Sequence, residues 1–504
     1  MGTKAVVSTA IGEAFIKPWS TRFLPTWLAY CDKHKLDLIV FLDFLDKSER
    51  ARSRRPTWQK CLAVASKEAS QYEQIAWIDS DIAINAISAP NIFSNVPIAK
   101  IGAVGLGALP YQSHLFTNEA QASAEHLHEA WASGGIRAAI QSTHRGGSRA
   151  ASSPLERASL DALDFYKKLG FQCEVQDNFN SGVFVLSPEY HANLFRDIYE
   201  RYEEIPAQRV TDNIPIVAEV SSRGLLFDLD SRFNVILYSE LTHHYPYLIF
   251  VGQEYRDILF LASQTLFISS YFLHFAGTKL VADLFYPAAS DWVSLLKLGG
   301  QAFPALYLDA STLDTATQAR SYFSLVREVQ KCNPVQPQLQ GSIVRFECDK
   351  PRRVVGMKWD ANTSHSGLHE REVDPASGVP FRWIGGNGAS ISFQVPDSEA
   401  ENYVKYRGMA RFLGDDDRPF LDSVQLMIQV NGYFPHTFTY KTTSEKSARY
   451  SVILFEGFAA IAATNTVALR GRAWTPLVAR GSQDARLLSL PFVDLELELE
   501  LFRL

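Results

Sequence analysis

Two carboxylates follow a short apolar segment early in the chain, and their spacing is that of a cation site. Ile75–Ile78 is apolar, and Asp79 and Asp81 follow with Ser80 between them. Such a segment is typical of a buried strand of a parallel sheet, and open α/β sheets bind ligands at the carboxyl ends of their strands. Alternate residues of extended backbone share a face, so both carboxylates can bind one hard cation that bridges to diphosphate oxygens. The alternative is a polar turn, because Asp and Ser are common in turns.

Strand and helix patterns alternate around this segment, over residues 1 to about 300, which predicts an α/β layer fold. The predicted strands are Ala5–Ser8, Leu38–Leu42, Ile75–Ile78, Ile101–Val104 and Val183–Leu186, and the predicted helices are Leu24–His34, Thr57–Ser70, Ser153 to about Gly170 and Ser187 to about Glu204. Residues 105–152 lack this rhythm and are predicted to form a lid or a binding loop.

The last third of the chain has the period-two alternation that is typical of antiparallel sheets. Ala389–Val395 and Val424–Val430 alternate apolar with polar residues, and Asn431-Gly432 is a strong hairpin signal. Asp494–Leu501 has one apolar face and one acidic face. We therefore expect a β-sandwich or jelly-roll domain in this region.

Length and composition bound the remaining choices. A chain of 504 residues exceeds one ordinary core, and we predict an α/β domain at 1–300, a helical or linker segment at 301–338 and a β-sandwich at 339–504. The hydrophobic content of 46% and the charged content of 21% are typical of a soluble globular protein. The net charge of −6 argues against binding nucleic acid through a basic surface. The basic run Arg50–Arg55 is either a solvated face or a guide for an anionic ligand.

Cysteine usage and the chain start indicate a compartment. Five cysteines without a CxxC pair fit a reducing cytosol better than a disulfide framework. No signal peptide precedes the first strand pattern, and the longest apolar stretch, Ile258–Phe275, is interrupted by polar residues. We therefore expect a cytoplasmic protein without a transmembrane segment, and leave peripheral membrane association open.

Five short motifs occur in an order that resembles one enzyme family. In chain order they are Tyr30 to His34, Trp58 to Lys60, Trp77 to Asp81, Asn180 to Phe184 and His274 to Lys279. The set resembles glycosyltransferases of the GT-A fold, and most closely family 34, which includes xyloglucan xylosyltransferases of plants and galactosyl- and mannosyltransferases of fungi. The resemblance covers roughly residues 5 to 285 and implies a Rossmann-like mixed sheet that binds a nucleotide-diphospho-sugar.

The resemblance also implies a metal centre. In the family, the two motif aspartates and the late histidine hold Mn²⁺ with the donor diphosphate, and their counterparts are Asp79, Asp81 and His274. Carboxylate and imidazole ligands suit Mn²⁺, and Mg²⁺ is the alternative. The cation neutralises charge on the departing nucleoside diphosphate. The alternative for His274 is a core histidine in an aromatic strand.

Six residues are predicted to bind the donor: Ser8, Thr9, Lys60, Ser80, Gly277 and Lys279. Ser8 and Thr9 end the first strand, where the crevice rule places the nucleotide base and ribose. Lys279 can supply positive charge to the leaving group, and Gly277 lets the backbone approach the phosphates. Lys60 either contacts the donor phosphates or orders the aspartate loop, and its structural alternative is a solvated helix lysine.

Asn180 and Asp212 are predicted to lie at the transferred sugar. The Asn180 region faces donor sugar and acceptor in related enzymes, although a turn entering a strand is the structural alternative. Thr211-Asp212-Asn213 stands where the family has an acidic pair followed by Gln, so Asp212 is the remaining candidate near the anomeric carbon. Family members transfer with retention, through a covalent carboxylate intermediate or by front-face attack, and we favour the second route.

These patterns predict a hexosyl- or pentosyltransferase that uses a UDP- or GDP-sugar and a glycan acceptor. The segment Phe381–Trp383 and the strand after it resemble accessory domains of bacterial polysaccharide glycosyltransferases, which implies surface polysaccharide synthesis at the inner face of the membrane. That domain either holds an acceptor glycan or mediates homo-oligomer contacts. Two rival functions stay open: a sugar-phosphate nucleotidyltransferase, although Thr9–Gly12 is a poor phosphate loop, and a non-catalytic glycan-binding protein.

Overall fold

The computed structural model describes residues 3–105, 166, 170–171, 179–205, 210–237, 240, 263, 265–276, 339, 341–348, 353–359, 364–385, 388–395, 403–414, 427–433, 435–445, 448–470 and 488–502. The chain divides into two compact units. The first contains Met1–Phe285 and Gln340–Asp349, and the second contains Tyr286–Leu339 and Lys350–Leu504. The predicted linker at 301–338, the long loop at 106–152 and most of the predicted helix from Ser153 lie outside the described residues.

The first unit combines short helices with two sheets. Its strands are β1 (Lys4–Thr9), β2 (Asp37–Phe41), β3 (Gln74–Ile78), β4 (Ile82–Ile84), β5 (Ile101–Gly105), β6 (Phe179–Leu186), β7 (Leu226–Asp228), β8 (Val235–Ile236), β9 (Phe272–His274) and β10 (Ile343–Phe346). Its helices are α1 (Glu13–Pro18), α2 (Leu24–His34), α3 (Glu49–Ser53), α4 (Gln59–Val64), α5 (Pro188–Arg201) and α6 (Asn213–Ser222), with a π-helical turn at Trp19–Phe23 and 3₁₀ turns at Pro56–Trp58, Ala69–Gln71 and Ser231–Asn234.

Among the described residues, the main sheet has seven strands in the order β10-β2-β1-β3-β6-β5-β7. β2, β1 and β3 are parallel, and β6 runs antiparallel to both β3 and β5. Every residue of Gln74–Ile78 is buried, as expected for a strand covered on both faces. The predicted mixed α/β sheet is therefore confirmed.

One predicted helix is shorter than its sequence pattern suggests. α2 covers Leu24–His34 as predicted, whereas the predicted helix Thr57–Ser70 is helical only over Gln59–Val64 before a 3₁₀ turn. Ser66 Oγ accepts a hydrogen bond from the Ala69 N–H at 3.1 Å. Serine hydroxyls that bond nearby backbone in this way compete with helix continuation, which accounts for the break.

One strand from the range predicted as β-sandwich lies in the first unit. β10 pairs antiparallel with β2, and Ile343 lies opposite Phe41. This pairing covers backbone N–H and C=O groups that β2 would otherwise present at a sheet edge. Residues 341–348 therefore extend the α/β sheet.

A three-stranded sheet, β4-β9-β8, follows the end of β3. β9 is antiparallel to β4 with His274 opposite Ile82, and β8 is parallel to β9 with Ile236 opposite His274. Trp27 of α2 donates its indole N–H to Ile82 O at 2.7 Å and so anchors β4. This register brings the loop after β3, the residue before β8 and the end of β9 to one place.

The second unit is all-β in its described residues. Its strands are β11 (Arg353–Lys358), β12 (His365–Ser366), β13 (Leu368–Val373), β14 (Pro380–Gly385), β15 (Ala389–Gln394), β16 (Tyr403–Leu413), β17 (Met427–Val430), β18 (Thr437–Glu445), β19 (Ala448–Ala460), β20 (Thr464–Arg470) and β21 (Leu488–Phe502). One sheet has the order β13-β14-β21-β16-β19-β18 with β11 beside β21, and the other has the order β12-β15-β20-β17. Met357 and Leu495 of one sheet line a cleft with Ile391 and Phe393 of the other, so the sheets face each other as predicted.

The hairpin signal in this unit has a more local effect than expected. Asn431 and Gly432 both have positive φ, and Val430 and Tyr433 exchange two backbone hydrogen bonds around them. β17 nevertheless pairs with β20 and not with β18, the next strand along the chain. The dipeptide therefore makes a tight turn without a long hairpin.

No helix among the described residues has both the length and the apolar composition that crossing a membrane requires.

Candidate metal centre

Asp79, Asp81 and His274 lie together where β3 ends. One ligand atom from each lies within 4.8 Å of the others. His274 Nε2 is 3.2 Å from Asp81 Oδ1 and 4.0 Å from Asp79 Oδ2. Neighbouring ligands of an octahedral cation lie about 3 Å apart when each is roughly 2.1 Å from the ion. The three side chains therefore have nearly the spacing that one cation needs, and the Asp81 side chain, 44% exposed, faces solvent.

Backbone hydrogen bonds hold both aspartates in place. The Asp79 N–H donates to Gly182 O of β6 at 2.8 Å, and the Phe275 N–H donates to Asp81 O at 2.9 Å. The acidic loop is thus tied to the main sheet on one side and to the end of β9 on the other. Ser80 and Asp81 do form a turn, and this turn directs both carboxylates toward His274.

The Asp79 carboxylate has one oxygen engaged by the protein and one turned toward His274. Its Oδ1 accepts the Trp77 indole N–H at 2.7 Å and lies 3.2 Å from Lys60 Nζ. Its Oδ2 is the atom nearest the His274 ring. Burial, together with the neighbouring Asp81 and Asp212 carboxylates, raises the pKa of Asp79.

Lys60 is a buried cation that joins several parts of the site. Its Nζ lies 3.2 Å from Asp79 and 3.1 Å from Asp212, and it donates to Ser181 O at 2.9 Å. Burial alone would lower the pKa of Lys60, but the two carboxylates more than offset it, and the pKa is raised. These contacts favour the alternative in which Lys60 orders the aspartate loop.

His274 is buried against the same loop. Burial alone would lower the pKa of His274, and the Asp81 and Asp79 carboxylates more than offset this, so the pKa is raised. Partial burial would raise the pKa of Asp81, but the His274 ring holds it below its usual value. A Cβ added to Gly182 would lie 2.3 Å from His274 Cε1, so this glycine makes room for the ring.

Asn234 is the residue of this site that sequence reasoning missed. Its Oδ1 is 2.9 Å from His274 Nδ1, and its Nδ2 donates to Asn180 Oδ1 at 3.1 Å. It ends the 3₁₀ turn before β8, 40 residues before His274 in the chain. Its only sequence signal is a polar side chain directly before an apolar strand, which is too common to mark a site.

The structure places the other predicted residues at different depths. Ser8 is fully buried and its Oγ donates to Ile78 O at 2.5 Å, whereas Thr9 and Ser80 are half-buried at strand ends. Asp212 is buried at the start of α6 beside Lys60. Gly277 and Lys279 lie outside the described residues. The donor roles of these residues stay predictions, and the geometry favours Thr9 over Ser8.

The Tyr30 to His34 motif positions the segment after β4. Tyr30 Oη donates to Pro90 O at 2.9 Å, and Lys33 Nζ donates to Ala86 O at 2.9 Å. Burial raises the pKa of Tyr30, as expected for a phenol that serves as a structural hydrogen-bond group. The motif therefore holds the segment that follows β4.

The basic run pairs with acids of α5 and of the segment that follows it. The pairs are Arg50 with Glu200 at 2.8 Å, Arg54 with Glu203 at 2.9 Å and Arg55 with Glu204 at 3.0 Å. Arg54 also stacks on Trp58, with 4.6 Å between the guanidinium carbon and the ring centroid. Three of these arginines are therefore engaged within the protein, which favours neither a free solvated face nor an electrostatic guide.

Comparison with solved structures finds glycosyltransferases among the similar chains. The chain is similar to a glycosyltransferase involved in the glycosylation of the major capsid of PBCV-1, at 13% identity over 55% of this chain and 94% of that chain, with a TM-score of 0.29. It is also similar to the galactosyltransferase LgtC in complex with donor and acceptor sugar analogs, at 10% identity over 58% of this chain and 95% of that chain, with a TM-score of 0.30.

A further likeness is to CBM35 from Paenibacillus barcinonensis, at 9% identity over 28% of this chain and 97% of that chain, with a TM-score of 0.18. No protein-family model matches the chain, and no curated protein matches it. All three TM-scores are below 0.5, so the proposals that follow depend on the geometry of the site and on the sequence motifs.

Proposed function

We propose that the chain is a metal-dependent glycosyltransferase that moves a sugar from a nucleoside-diphosphate donor to a glycan acceptor. The observation that carries the proposal is the convergence of Asp79, Asp81 and His274 at the carboxyl end of β3. Ligands of α/β sheets bind at this edge. The five ordered motifs add the donor class, because the enzymes they resemble use nucleotide sugars.

The donor set suits a hard or borderline divalent cation. Asp79 Oδ2, Asp81 Oδ1 and His274 Nε2 would hold Mn²⁺ or Mg²⁺, and the second oxygen of Asp79 is engaged by Trp77 and Lys60. Two carboxylates and one imidazole leave coordination positions for diphosphate oxygens. When bound, the cation stabilises the charge that develops on the departing diphosphate.

The environment of Asp212 supports a front-face route to retention. Its carboxylate is buried and paired with Lys60, so it is better suited to position the Lys60 ammonium group than to attack a sugar. On the front-face route the anomeric C–O bond to phosphate breaks, and the acceptor oxygen bonds to the same face. The acceptor proton passes to the departing phosphate oxygen.

The Asn180 to Gly182 segment is proposed to border the transferred sugar. Asn180 is half-buried, and its Oδ1 accepts hydrogen bonds from the Gly182 N–H at 2.8 Å and from Asn234 at 3.1 Å. Because this segment also contacts Lys60 through Ser181, it links the sugar position to the metal centre. A surface polysaccharide as acceptor, at the cytoplasmic face of the membrane, is proposed from the sequence resemblance alone.

The test is turnover of nucleotide sugars by the purified full chain. We expect release of nucleoside diphosphate from at least one of a panel of UDP- and GDP-sugars, and this release should require Mn²⁺ or Mg²⁺. No release from any donor would contradict the proposal. Release of pyrophosphate would instead indicate a nucleotidyltransferase, and glycan binding without turnover would indicate a non-catalytic protein.

A further inference from the structure

We infer that Asn234 is a positioning residue that sets the tautomer of His274 and so presents Nε2 as a metal ligand. The inference rests on the proposed metal centre. It assigns a role to a residue outside every sequence motif, and it concerns how the ligand is prepared for the cation.

The first step is the contact between the two side chains. Asn234 Oδ1 lies 2.9 Å from His274 Nδ1. An amide oxygen only accepts hydrogen bonds, so Nδ1 must carry the proton. In the neutral ring, Nε2 then keeps its lone pair, and Nε2 is the atom that faces Asp81 and Asp79.

The second step is the orientation of the Asn234 amide, which its other contacts determine. Asn234 Nδ2 donates to Asn180 O at 3.2 Å and to Asn180 Oδ1 at 3.1 Å. Asn180 Oδ1 also accepts the Gly182 backbone N–H at 2.8 Å, and a backbone N–H can only donate. The Gly182 N–H therefore fixes Asn180 Oδ1 as an acceptor, and this acceptor fixes Asn234 Nδ2 as the donor to it. The Asn234 oxygen is then the atom that faces His274 Nδ1.

The third step is the energetic reason that the arrangement persists. Asn234 and His274 are both buried. Turning the Asn234 amide would set its NH₂ group against the Nδ1–H and its oxygen against two oxygens of Asn180 in a low-dielectric interior, which is costly. Gly182 closes the other side of the ring, since any larger residue would collide with it. The imidazole is thus held in one place and in one tautomer.

The experiment measures Mn²⁺ binding to the full chain, with the metal alone as the probe. Isothermal titration calorimetry gives the affinity, and pulsed EPR of bound Mn²⁺ reports a coordinated histidine nitrogen. We expect Asn234→Ala to weaken Mn²⁺ binding about 10- to 100-fold, the usual effect of losing an outer-shell partner. The nitrogen signal should weaken with it.

Asn234→Asp is the conservative rescue. It keeps an acceptor for the Nδ1 proton but sets its second carboxylate oxygen against Asn180 O and Oδ1, so the affinity and the nitrogen signal should recover only in part. The signal matters because added negative charge alone would attract Mn²⁺ without restoring nitrogen coordination. Should Asn234→Ala fail to fold, Asn234→Ser, whose hydroxyl is too short to reach Nδ1, takes its place.

Asn431→Ala is the matched control. Asn431 is a buried asparagine of the second unit, and its side chain donates to Asn465 Oδ1 and to Ala460 O. This variant should lose thermal stability and keep wild-type affinity for Mn²⁺. If the control also lost affinity for Mn²⁺, the effect of Asn234→Ala would reflect general destabilisation, and the inference would be overturned.

Two other outcomes separate the inference from the proposed function. Equal affinity of Asn234→Ala and wild type, or an Asn234→Ala variant that keeps the full nitrogen signal, would overturn the positioning role and leave the metal centre standing. Absence of Mn²⁺ binding by the wild type would overturn both.

Discussion

His274 in the first unit and His436 in the second are both buried, 2% and 6% exposed, yet their surroundings shift their pKa values in opposite directions. Burial alone lowers the pKa of an imidazole. Around His274 the carboxylates of Asp81 and Asp79 more than offset burial, and the pKa is raised. Around His436 burial acts without such compensation, and the pKa falls to about 4.

The hydrogen bonds of the two rings differ in the same way. His274 Nδ1 faces an amide oxygen of Asn234, whereas His436 Nε2 has no hydrogen-bond partner among the described residues. His436 instead packs against Phe458, with 6.3 Å between ring centroids. Burial alone therefore does not identify a functional histidine. What identifies it is a supported ring whose second nitrogen points at converging acids.

The largest effect should come from removing the most exposed ligand. Asp81→Ala is expected to abolish measurable Mn²⁺ binding and to lower transfer about 10³-fold, because a bound cation supplies several kcal/mol of charge stabilisation. Folding should be retained, since the side chain is 44% exposed. Asp43→Ala, at an exposed surface carboxylate, is the control and should change neither property. A fully active Asp81→Ala variant would remove the distinction between His274 and a core histidine.

Lys60→Met should have the largest effect on stability. It leaves Asp79 and Asp212 without their buried cation, and loss of one partner of a buried ion pair costs about 3–5 kcal/mol of unfolding free energy. Mn²⁺ should stabilise this variant more than wild type, because the ion replaces part of the lost positive charge at Asp79. Thermal unfolding with and without Mn²⁺ measures both effects.

Arg54→Met is the matched control for Lys60→Met. Arg54 is also buried, but its partner Glu203 is 57% exposed and remains solvated when the guanidinium is lost. We expect a smaller loss of stability and no dependence on Mn²⁺. Equal Mn²⁺ stabilisation of the two variants would mean that Lys60 has no special relation to the metal centre.

Acid should destabilise the second unit through His436. Its pKa is about 4 in the folded chain and about 6.5 when unfolded, so the unfolded state binds more protons between these values. The stability that depends on the neutral ring is complete above pH 6.5 and is lost as the pH falls toward 4, by at most about 3 kcal/mol. Urea unfolding of wild type and His436→Phe across this range tests the effect, and parallel pH profiles would contradict it.

The smallest effects are expected from alanine substitutions at two glycines, Gly182 and Gly408, of which only Gly182 lies against a metal ligand. An added Cβ would lie 2.3 Å from His274 Cε1 at Gly182 and 2.0 Å from Phe455 Cζ at Gly408. Both alanine variants should lose about 1–3 kcal/mol of stability, as overpacked sites do. Gly182→Ala alone should also weaken Mn²⁺ binding, roughly 10-fold, because it displaces a ligand ring. Calorimetry on both variants checks this, and equal affinities would show that the ring has room to move.

Much of the fold follows from local patterns. The apolar segment Gln74–Ile78 becomes a buried central strand, and Leu495, Leu497 and Leu499 are buried along β21 as their alternation with acids predicts. Two acids placed directly after a buried strand also indicate the edge where a ligand would bind. Patterns of this kind report burial and backbone direction over a few residues, and they succeed where those two properties decide the structure.

Local patterns fail where the choice of partner is decided far along the chain. The turn at Asn431-Gly432 forms as its residue types require, but the strand before it pairs with β20. Arg54 reads as part of a solvated basic run, yet it lies buried between Trp58 and Tyr199. In both places a partner distant in the sequence, β20 for the strand and Tyr199 and Glu203 for Arg54, decides the outcome.

The sequence by itself determined the α/β and all-β succession, the position of Asp79 and Asp81 at a strand end, and the candidacy of His274. Only the tertiary structure decided that His274 meets both acids, that Asn234 supports its ring and that Lys60 is shared by Asp79 and Asp212. The physical reason is strand register. Pairing of β9 with β4 and with β8 fixes which side chains, far apart in the sequence, lie within a few ångströms of each other. That pairing depends on long-range packing that no short motif encodes.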